Sequence, residues 1–450
     1  MARFQETVKQ GDRRRAAALD VLEAALDAVE PGAAVRRALQ YDGDRLAVGG
    51  RDYDLARFRR VWVVGAGKAS GPMAAAVEDL LGDRVAGGHV TVKYGYTAPV
   101  RRVMLHEAGH PVPDEAGLAG SRAIVDVLRG ADEDDLVIGV ISGGGSALMT
   151  LPVEGVTLAD MQALTEALLR SGAPIGALNT VRKHLSQVKG GQLARLAHPA
   201  TVITLIVSDV VGSPLDVIAS GPTVPDPTTA AGARATLERF GVWDGAPEAI
   251  RRHLDATIAG QSADTPKADD PVFERVQNVV IADNALAAEA ARARAEALGL
   301  NAAIMTTYLE GEAREIAIAL ASMGKEIAAH NRPFPRPACL LFGGETTVTV
   351  RGAGKGGRNQ ELALSAALAL AGTRDILLAS LATDGTDGPT DGAGGLVDGA
   401  TVERAAAQGL SARAALENND AYPLLAATGD LLITGPTNTN VNDLSAVFIW

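Results

Sequence analysis

The chain is 450 residues long, 47% hydrophobic and 21% charged, the balance of a globular protein of two or three domains rather than a disordered one. Its net charge of −12, with no long Lys/Arg run, excludes a nucleic-acid partner held on a broad basic surface. The single cysteine, Cys339, excludes a disulfide framework or a cysteine metal cage within one chain, and no apolar run approaches the roughly 20 residues that span a bilayer.

The N-terminal MARFQETVKQGDRRR has charges with no apolar stretch behind them, so no secretory signal is expected and the reading is a cytoplasmic protein without a membrane partner. Residues 13 to about 40 carry helical periodicity, interrupted at Pro31 and Gly32. From residue 61, VWVVGAGKASGPMAAAVEDLL spells strand, glycine turn, helix. HVTVKYG and RRVMLHEAG follow, then DLVIGVISGGGSALM, TVITLIVSDVVG and NVVIADN, each an apolar run closed by glycine or a polar turn. Strands alternating with helices predict an α/β fold with a parallel sheet covered on both faces, and such sheets bind ligands at the carboxyl ends of their strands. The polar, proline-bearing stretch between about residues 244 and 271 has the composition of a linker. The expected organisation is a Rossmann-like domain over residues 1–245, a linker over 246–272 and a smaller α/β domain over 273–450.

The loops at the predicted strand ends carry the chemistry. Gly65-Ala-Gly67-Lys68-Ala-Ser70-Gly71 is spaced G-x-G-x-x-x-G, one residue longer than a dinucleotide fingerprint. Lys68 at the head of a helix opposes the macrodipole, which an anion would compensate. In SGGGSALM, Ser142 and Ser146 flank Gly143, Gly144 and Gly145, bare amides between hydroxyls that suit an anion nest or a tight strand-to-helix turn. LNTVRKHLSQVKGGQLA is read as a polar helix that carries Asn179, Arg182, Lys183 and Lys189 and ends at Gly190, its cations either capping or contacting an anion. Asp209 stands at the tip of the strand TVITLIV, as a metal ligand, a general base or a helix cap.

The second glycine-rich stretch, RGAGKGGRNQEL over residues 351–362, opens a helix after CLLFGGET. Its glycines would let amides converge on an anion, and Lys355 and Arg358 bring cations to the same place. Asp384, Asp387 and Asp391 recur in ATDGTDGPTDGAGG at a spacing wrong for an EF-hand but suited to Mg²⁺ held jointly with phosphates, or to solvated turns. TGPTNTNVNDL, with Thr437 and Asn440, could hold ribose, phosphate or a sugar-acid hydroxyl. No Walker A motif is present: Lys68, Lys325 and Lys355 follow glycine but precede Ala69, Glu326 and Gly356. His106-Glu107-Ala-Gly-His110 matches the zinc-protease pattern, which needs both histidines on one helical face; here a strand precedes the motif and Gly109 and Pro111 bracket His110.

Together the motifs resemble one family, the glycerate 2-kinases, also called the MOFRL family, some of whose members carry the name hydroxypyruvate reductase. The resemblance rests on GAGKAS, GHPVPDE, SGGGSAL, NTVRKHLSQVKGGQLA, SDVVGSPLDVIASGPTVPDPTT, GGETTVTVRGAGKGGRNQE, ATDGTDGPTDGAGG and TGPTNTNVND, in this order along nearly the whole chain. Asn438 departs from it, standing where glycine is expected. The resemblance implies a Rossmann-like domain, a C-terminal domain with its MOFRL segment from about residue 336, and an active site in the cleft between them. It implies phosphorylation of D-glycerate at the 2-hydroxyl by ATP with Mg²⁺, and leaves room for a homodimer. On that basis Lys68 and Arg358 are assigned to the glycerate carboxylate or the transferred phosphoryl group. Asp209, Asp384 or Asp387 would hold Mg²⁺ or take the hydroxyl proton. Ser70, residues 142–146, Asn179, Lys183, Lys189, Glu345, Lys355, Asn359, Thr437 and Asn440 would contact substrate or phosphate. Two other readings are weighed: an NAD(P)H-dependent hydroxypyruvate reductase and a non-catalytic sugar-acid binding protein.

Overall fold

The computed structural model describes Phe4 and residues 12–450, so most of the stretch read for a secretory signal lies outside the described residues. The chain divides into two compact units. The first, Pro31–Ile281, begins with a small antiparallel sheet of β1 (Gln40–Asp42), β2 (Arg45–Val48) and β3 (Arg51–Asp54). The apolar runs then form β4 (Arg60–Ala66), β5 (Val85–Lys93), β6 (Val103–Ala108), β7 (Asp135–Ile141), β8 (Thr201–Val207) and β9 (Val276–Ala282).

These strands lie in the order β6-β5-β4-β7-β8-β9, and the pairs from β6 across to β8 are parallel. That is the 3-2-1-4-5-6 order of a doubly wound sheet, whose direction of winding reverses between β4 and β7. β7 is buried along its whole length, as its unbroken apolar run requires in a sheet covered on both faces. The helix Glu115–Arg129 places Ile124 and Leu128 against Val64 and Ile141 of that sheet. His106 and Glu107 lie on β6 rather than on a helix, so the zinc-protease pattern has the wrong backbone for its chemistry.

The second unit takes up Ala282–Trp450 together with the N-terminal helix Arg13–Ala28. Its sheet contains β10 (Asn301–Leu309), β11 (Ala338–Gly344), β12 (Ile376–Ala382), β13 (Gly394–Asp398), β14 (Leu431–Leu432) and β15 (Asp443–Ile449). Their order is β10-β11-β15-β12-β13-β14; β10 and β11 pair parallel and the rest antiparallel. The helices Ala313–His330 and Arg358–Leu370 pack together, and Leu320, Leu362 and Leu378 share one core.

These boundaries differ from the expected ones in two places. Residues 246–272 do not form a linker: the helix Glu248–Ile258 buries Ile250 and Leu254 against Leu237 and Val181, and Thr265 is buried with its hydroxyl on Asp226. The N-terminal helix belongs with the C-terminal unit because Arg15 is buried there, with Nη1 on the Leu396 carbonyl at 3.0 Å and Nη2 on Asp398 and Asp430 at 2.6 and 2.7 Å. Both differences come from tertiary burial that local polarity conceals.

Candidate active site

In the unit built on the parallel sheet, the loops after β4 and β7 meet at the point where the winding reverses. Ser142 joins them: its Oγ accepts the Ala69 amide at 2.9 Å and lies 3.2 Å from Ser70 Oγ. Most of the first loop is internally satisfied, with the amides of Gly67, Lys68 and Ser70 bonded to the carbonyls of Thr91, Gly143 and Gly67. Only the Gly71 amide of the turn, with Pro72 behind it, makes no hydrogen bond to another described residue, and β5 ends in Lys93 where a dinucleotide site carries its ribose-binding acid. The loop therefore contributes the Lys68 side chain rather than a phosphate cradle.

The triple glycine is tighter than a plain anion nest. Gly145 donates back to the Ser142 carbonyl at 3.1 Å, and Ser146 Oγ lies 2.9 Å from Ser220 Oγ. The amides of Gly143 and Gly144 make no hydrogen bond to another described residue. Three side chains crowd their α-carbons. A Cβ on Gly143 would stand 2.1 Å from Asp209 Oδ2, and one on Gly144 would stand 3.0 Å from His110 Cδ2 and 3.4 Å from Lys68 Cγ. A side chain at either position would displace this group, which is why glycine is required there. Burial, with Lys68 and Lys93 nearby, pushes the His110 imidazole down to about 4, so it is neutral at pH 7. The turn thus holds together an ammonium side chain, a neutral imidazole and a carboxylate, and His110 is a site residue that sequence reading passed over once its zinc pattern was rejected.

The segment after it reads differently in the fold. The helix runs Ile175–His184 and stops five residues short of Lys189, so Lys189 does not cap it. Asn179, Lys183 and Lys189 are buried rather than on a polar face. Lys183 lies between Asp216 and Asp226, 3.4 Å from each, which gives its charge a structural partner. Lys189 reaches only the Met149 carbonyl, at 2.5 Å; burial, reinforced by Arg182, pushes its ammonium down to about 7.

In the other unit, most of the glycine-rich stretch is already engaged. The amides of Arg351 and Gly352 bond Asn419 Oδ1, those of Ala353 and Gly354 bond Asn418, and that of Lys355 bonds Asp420. The Lys355 ammonium sits 4.0 Å over the Tyr422 ring, a cation–π contact. The helix Arg358–Leu370 already has an anion at its N-terminus: Asp387 is buried there and accepts from the amides of Asn359 and Gln360 at 3.2 and 2.8 Å. Asp387 is a helix cap rather than an open metal ligand, and burial raises its carboxyl. Asn359 is buried and accepts from Ser380 Oγ at 2.6 Å.

Arg358 pairs with Asp443 and with Glu345, whose other oxygen accepts from Asn442 at 2.8 Å. The pairing with Asp443, which sequence reading left out of the site, occupies donors assigned to a ligand anion. Thr437 bonds the Thr383 carbonyl at 2.6 Å, a role in holding the loop, while Asn440 Oδ1 accepts the Asn442 amide at 3.3 Å. Asn438 has φ +60°, the left-handed conformation that glycine adopts freely and asparagine tolerates, so the departure at this position keeps the loop's shape. Asp384 lies in a turn where it accepts from the Thr386 amide at 3.1 Å. Among the described residues, no three His, Cys, Asp or Glu side chains gather as a metal cage. No helix of the described residues is long and apolar enough to cross a membrane.

Known proteins share this architecture. Residues 17–255 match a domain of unknown function, DUF4147, and residues 338–443 match the MOFRL family. A glycerate 2-kinase of Pyrococcus horikoshii is 45% identical over 93% of this chain and 94% of its own length. A D-glycerate 2-kinase of Thermotoga maritima is 44% identical over 95% of this chain and 96% of its own. The crystal structure of glycerate kinase from Thermotoga maritima superposes with a TM-score of 0.87 at 43% identity, covering 97% of this chain and 99% of that one.

Proposed function

This chain belongs to the glycerate 2-kinase family, and from that premise we infer that it transfers the γ-phosphoryl group of ATP to the 2-hydroxyl of D-glycerate, giving 2-phosphoglycerate and ADP. Kinase chemistry implies a nucleotide substrate, and ATP with Mg²⁺ is the form proposed here. The observation that carries the reading is the meeting of Lys68, His110 and Asp209 around Gly143 and Gly144, at the carboxyl end of the parallel sheet where its winding reverses.

Phosphoryl transfer needs little covalent help from protein; it needs charge around the moving group and a hydroxyl held in line. Lys68 supplies a fixed cation for the glycerate carboxylate or the equatorial phosphoryl oxygens. Asp209, beside the turn, accepts the hydroxyl proton as the O–P bond forms. His110 is neutral and can hold a substrate hydroxyl through a ring nitrogen without adding charge. Mg²⁺ is usually held by one or two carboxylates plus the nucleotide phosphates, so the lack of a three-ligand cage among the described residues is compatible with it. Asp209 or Asp384 is the carboxylate that would hold it, where it would offset phosphate charge; Asp387, committed to the helix terminus, would not.

The reductase reading is disfavoured by the loop after β4, where the amides of Gly67, Lys68, Ala69 and Ser70 are already engaged, and by Lys93 at the end of β5 in place of a ribose-binding acid. Incubation of the purified protein with ATP, Mg²⁺ and D-glycerate, followed by phosphorus NMR, tests the proposal. A 2-phosphoglycerate resonance that is lost on chelation is the expected result. A 3-phosphoglycerate resonance would overturn the regiochemistry, and NADH oxidation with hydroxypyruvate but no phosphorylated product would overturn the kinase.

A further inference from the structure

Beside the turn, wholly within the unit of the parallel sheet, lies a cavity of about 750 Å³ whose lining mixes cations with apolar side chains. Gly144, Arg182 and Lys189 line it together with Leu158, Met161 and Leu185. The Arg182 guanidinium makes no hydrogen bond or ion pair with another described residue, and Lys189 bonds only a backbone carbonyl. Burial lowers both cations, and the two repel each other. A buried ammonium beside a half-buried guanidinium, neither with a carboxylate partner, is costly in an isolated fold, and an anion between them would reduce that cost. Glycerate does not account for the rest of the space: it has three carbons and hydroxylated edges, and gains nothing from an apolar wall. An anion with a large flat apolar body matches both kinds of lining.

We propose that this cavity is the nucleotide subsite, with the purine against Leu158, Met161 and Leu185 and the phosphates against Arg182, Lys189 and the free amide of Gly144. The assignment rests on the kinase reading for its biological ligand, but its binding chemistry is independent of turnover. Continuity with the turn supports it: Gly144 and His110 line the cavity and also belong to the turn that gathers Lys68 and Asp209. A nucleotide seated this way points its terminal phosphate toward those groups. Gln162 and Thr165, which also line the cavity, offer an amide and a hydroxyl to the base edge.

The test uses the full chain and N-methylanthraniloyl-ADP as a fluorescent probe, without glycerate, competed with unlabelled ADP. Two variants address the two kinds of lining: Arg182→Gln removes an anion contact, and Thr165→Trp fills cavity space from a partly exposed position outside the core. Each is expected to weaken ADP binding by about 10-fold or more and to raise the KM for ATP similarly, with the KM for D-glycerate changed less than about 2-fold. A rise confined to the KM for D-glycerate would make this the acid subsite and overturn the proposal. Unchanged ADP affinity in both variants, with glycerate still phosphorylated, would overturn the subsite and leave the kinase intact. ADP binding that both variants abolish, in a protein inactive on glycerate, would uphold the subsite and overturn the substrate assignment.

Discussion

Asp443 holds Arg358 in a bidentate grip, its carboxylate oxygens 2.5 Å from Nε and 3.0 Å from Nη2. The remaining terminal nitrogen meets Glu345 at 2.8 Å. Arg358 is thereby kept charged, its guanidinium raised well above its ordinary range by these carboxylates against the opposing effect of burial. The two carboxylates differ in environment: the Asp443 side chain is 8% exposed and that of Glu345 is 44% exposed. Asp443→Ala should therefore cost about 3 kcal/mol by leaving a half-buried guanidinium without its main partner. Glu345→Gln should cost under about 1 kcal/mol, because its pair is screened by solvent. Urea unfolding of both variants measures the difference; equal losses would mean that burial does not distinguish the two pairs.

Lys68 is the cation that the turn places for the reacting groups. Lys68→Ala should lower kcat/KM for glycerate phosphorylation by about 10²–10³-fold, the effect of removing one preorganised charge from a transition state. The thermal midpoint should stay within a few degrees of the parent. Near-parental turnover in a well-folded variant would remove Lys68 from the chemistry.

Gly143 and Gly155 make a matched pair of substitutions. Alanine at Gly143 would place a methyl 2.1 Å from Asp209 Oδ2, whereas alanine at Gly155, where φ is +82°, meets nothing within 4 Å. Gly155→Ala should therefore cost only about 1–2 kcal/mol of backbone strain and leave turnover unchanged. Gly143→Ala should displace the carboxylate and lower kcat by about 100-fold, the scale expected for a misplaced reacting group. Steady-state assays alongside thermal melts separate the two effects.

The N-terminal helix is anchored by one buried side chain. Arg15 faces Asp398 and Asp430, and Arg404 shares both carboxylates. Arg15→Ala should destabilise the protein by about 3–5 kcal/mol through the loss of one member of a buried charge cluster. Burial pushes Asp398 up, but hydrogen bonds from Arg404 and Arg15 outweigh it and hold the carboxyl at about 2. A carboxyl depressed on folding contributes stability that is fully present above its unfolded pKa of about 3.9 and is lost as pH falls toward its folded value. Acid titration of the parent should show this loss below about pH 4, and Asp398→Asn should reduce it. An unchanged acid limb in that variant would assign the loss to other groups.

Lys189 should make nucleotide binding pH-dependent. Its ammonium is lowered from 10.5 to about 7 by burial and Arg182, so the free protein releases this proton as pH rises through neutrality. The native state then holds fewer protons than the unfolded chain between about 7 and 10.5, and this group alone makes folding more favourable as pH rises across that window. Phosphate binding needs the charged form. ADP affinity should be flat below about pH 7 and weaken above it, with proton uptake on binding, and Lys189→Gln should abolish both effects. Calorimetry in buffers of different ionisation enthalpy measures the uptake directly.

Much of this protein was determined locally. Alternating apolar runs and glycine turns specify the strands and helices of the parallel sheet because both depend on near neighbours, and the turn after β7 announces itself by its three glycines. The value of those glycines was also legible, as backbone that something must approach closely. What approaches them was not: Asp209, His110 and Lys68 come from three separate loops, brought together by strand order.

Tertiary structure decided which donors are still available. RGAGKGG reads as an anion nest, yet its first five amides, from Arg351 to Lys355, are taken by Asn418, Asn419 and Asp420, more than sixty residues downstream. Arg358 reads as a ligand cation, yet Asp443 holds it. Lys189 reads as a helix cap or an anion contact, yet it caps no helix and is buried beside Arg182 on the wall of a cavity. A sequence states which groups can make a hydrogen bond or carry a charge. Only folding decides which of them have already found a partner, because a buried amide or cation is satisfied by whatever the distant chain places within about 3 Å of it.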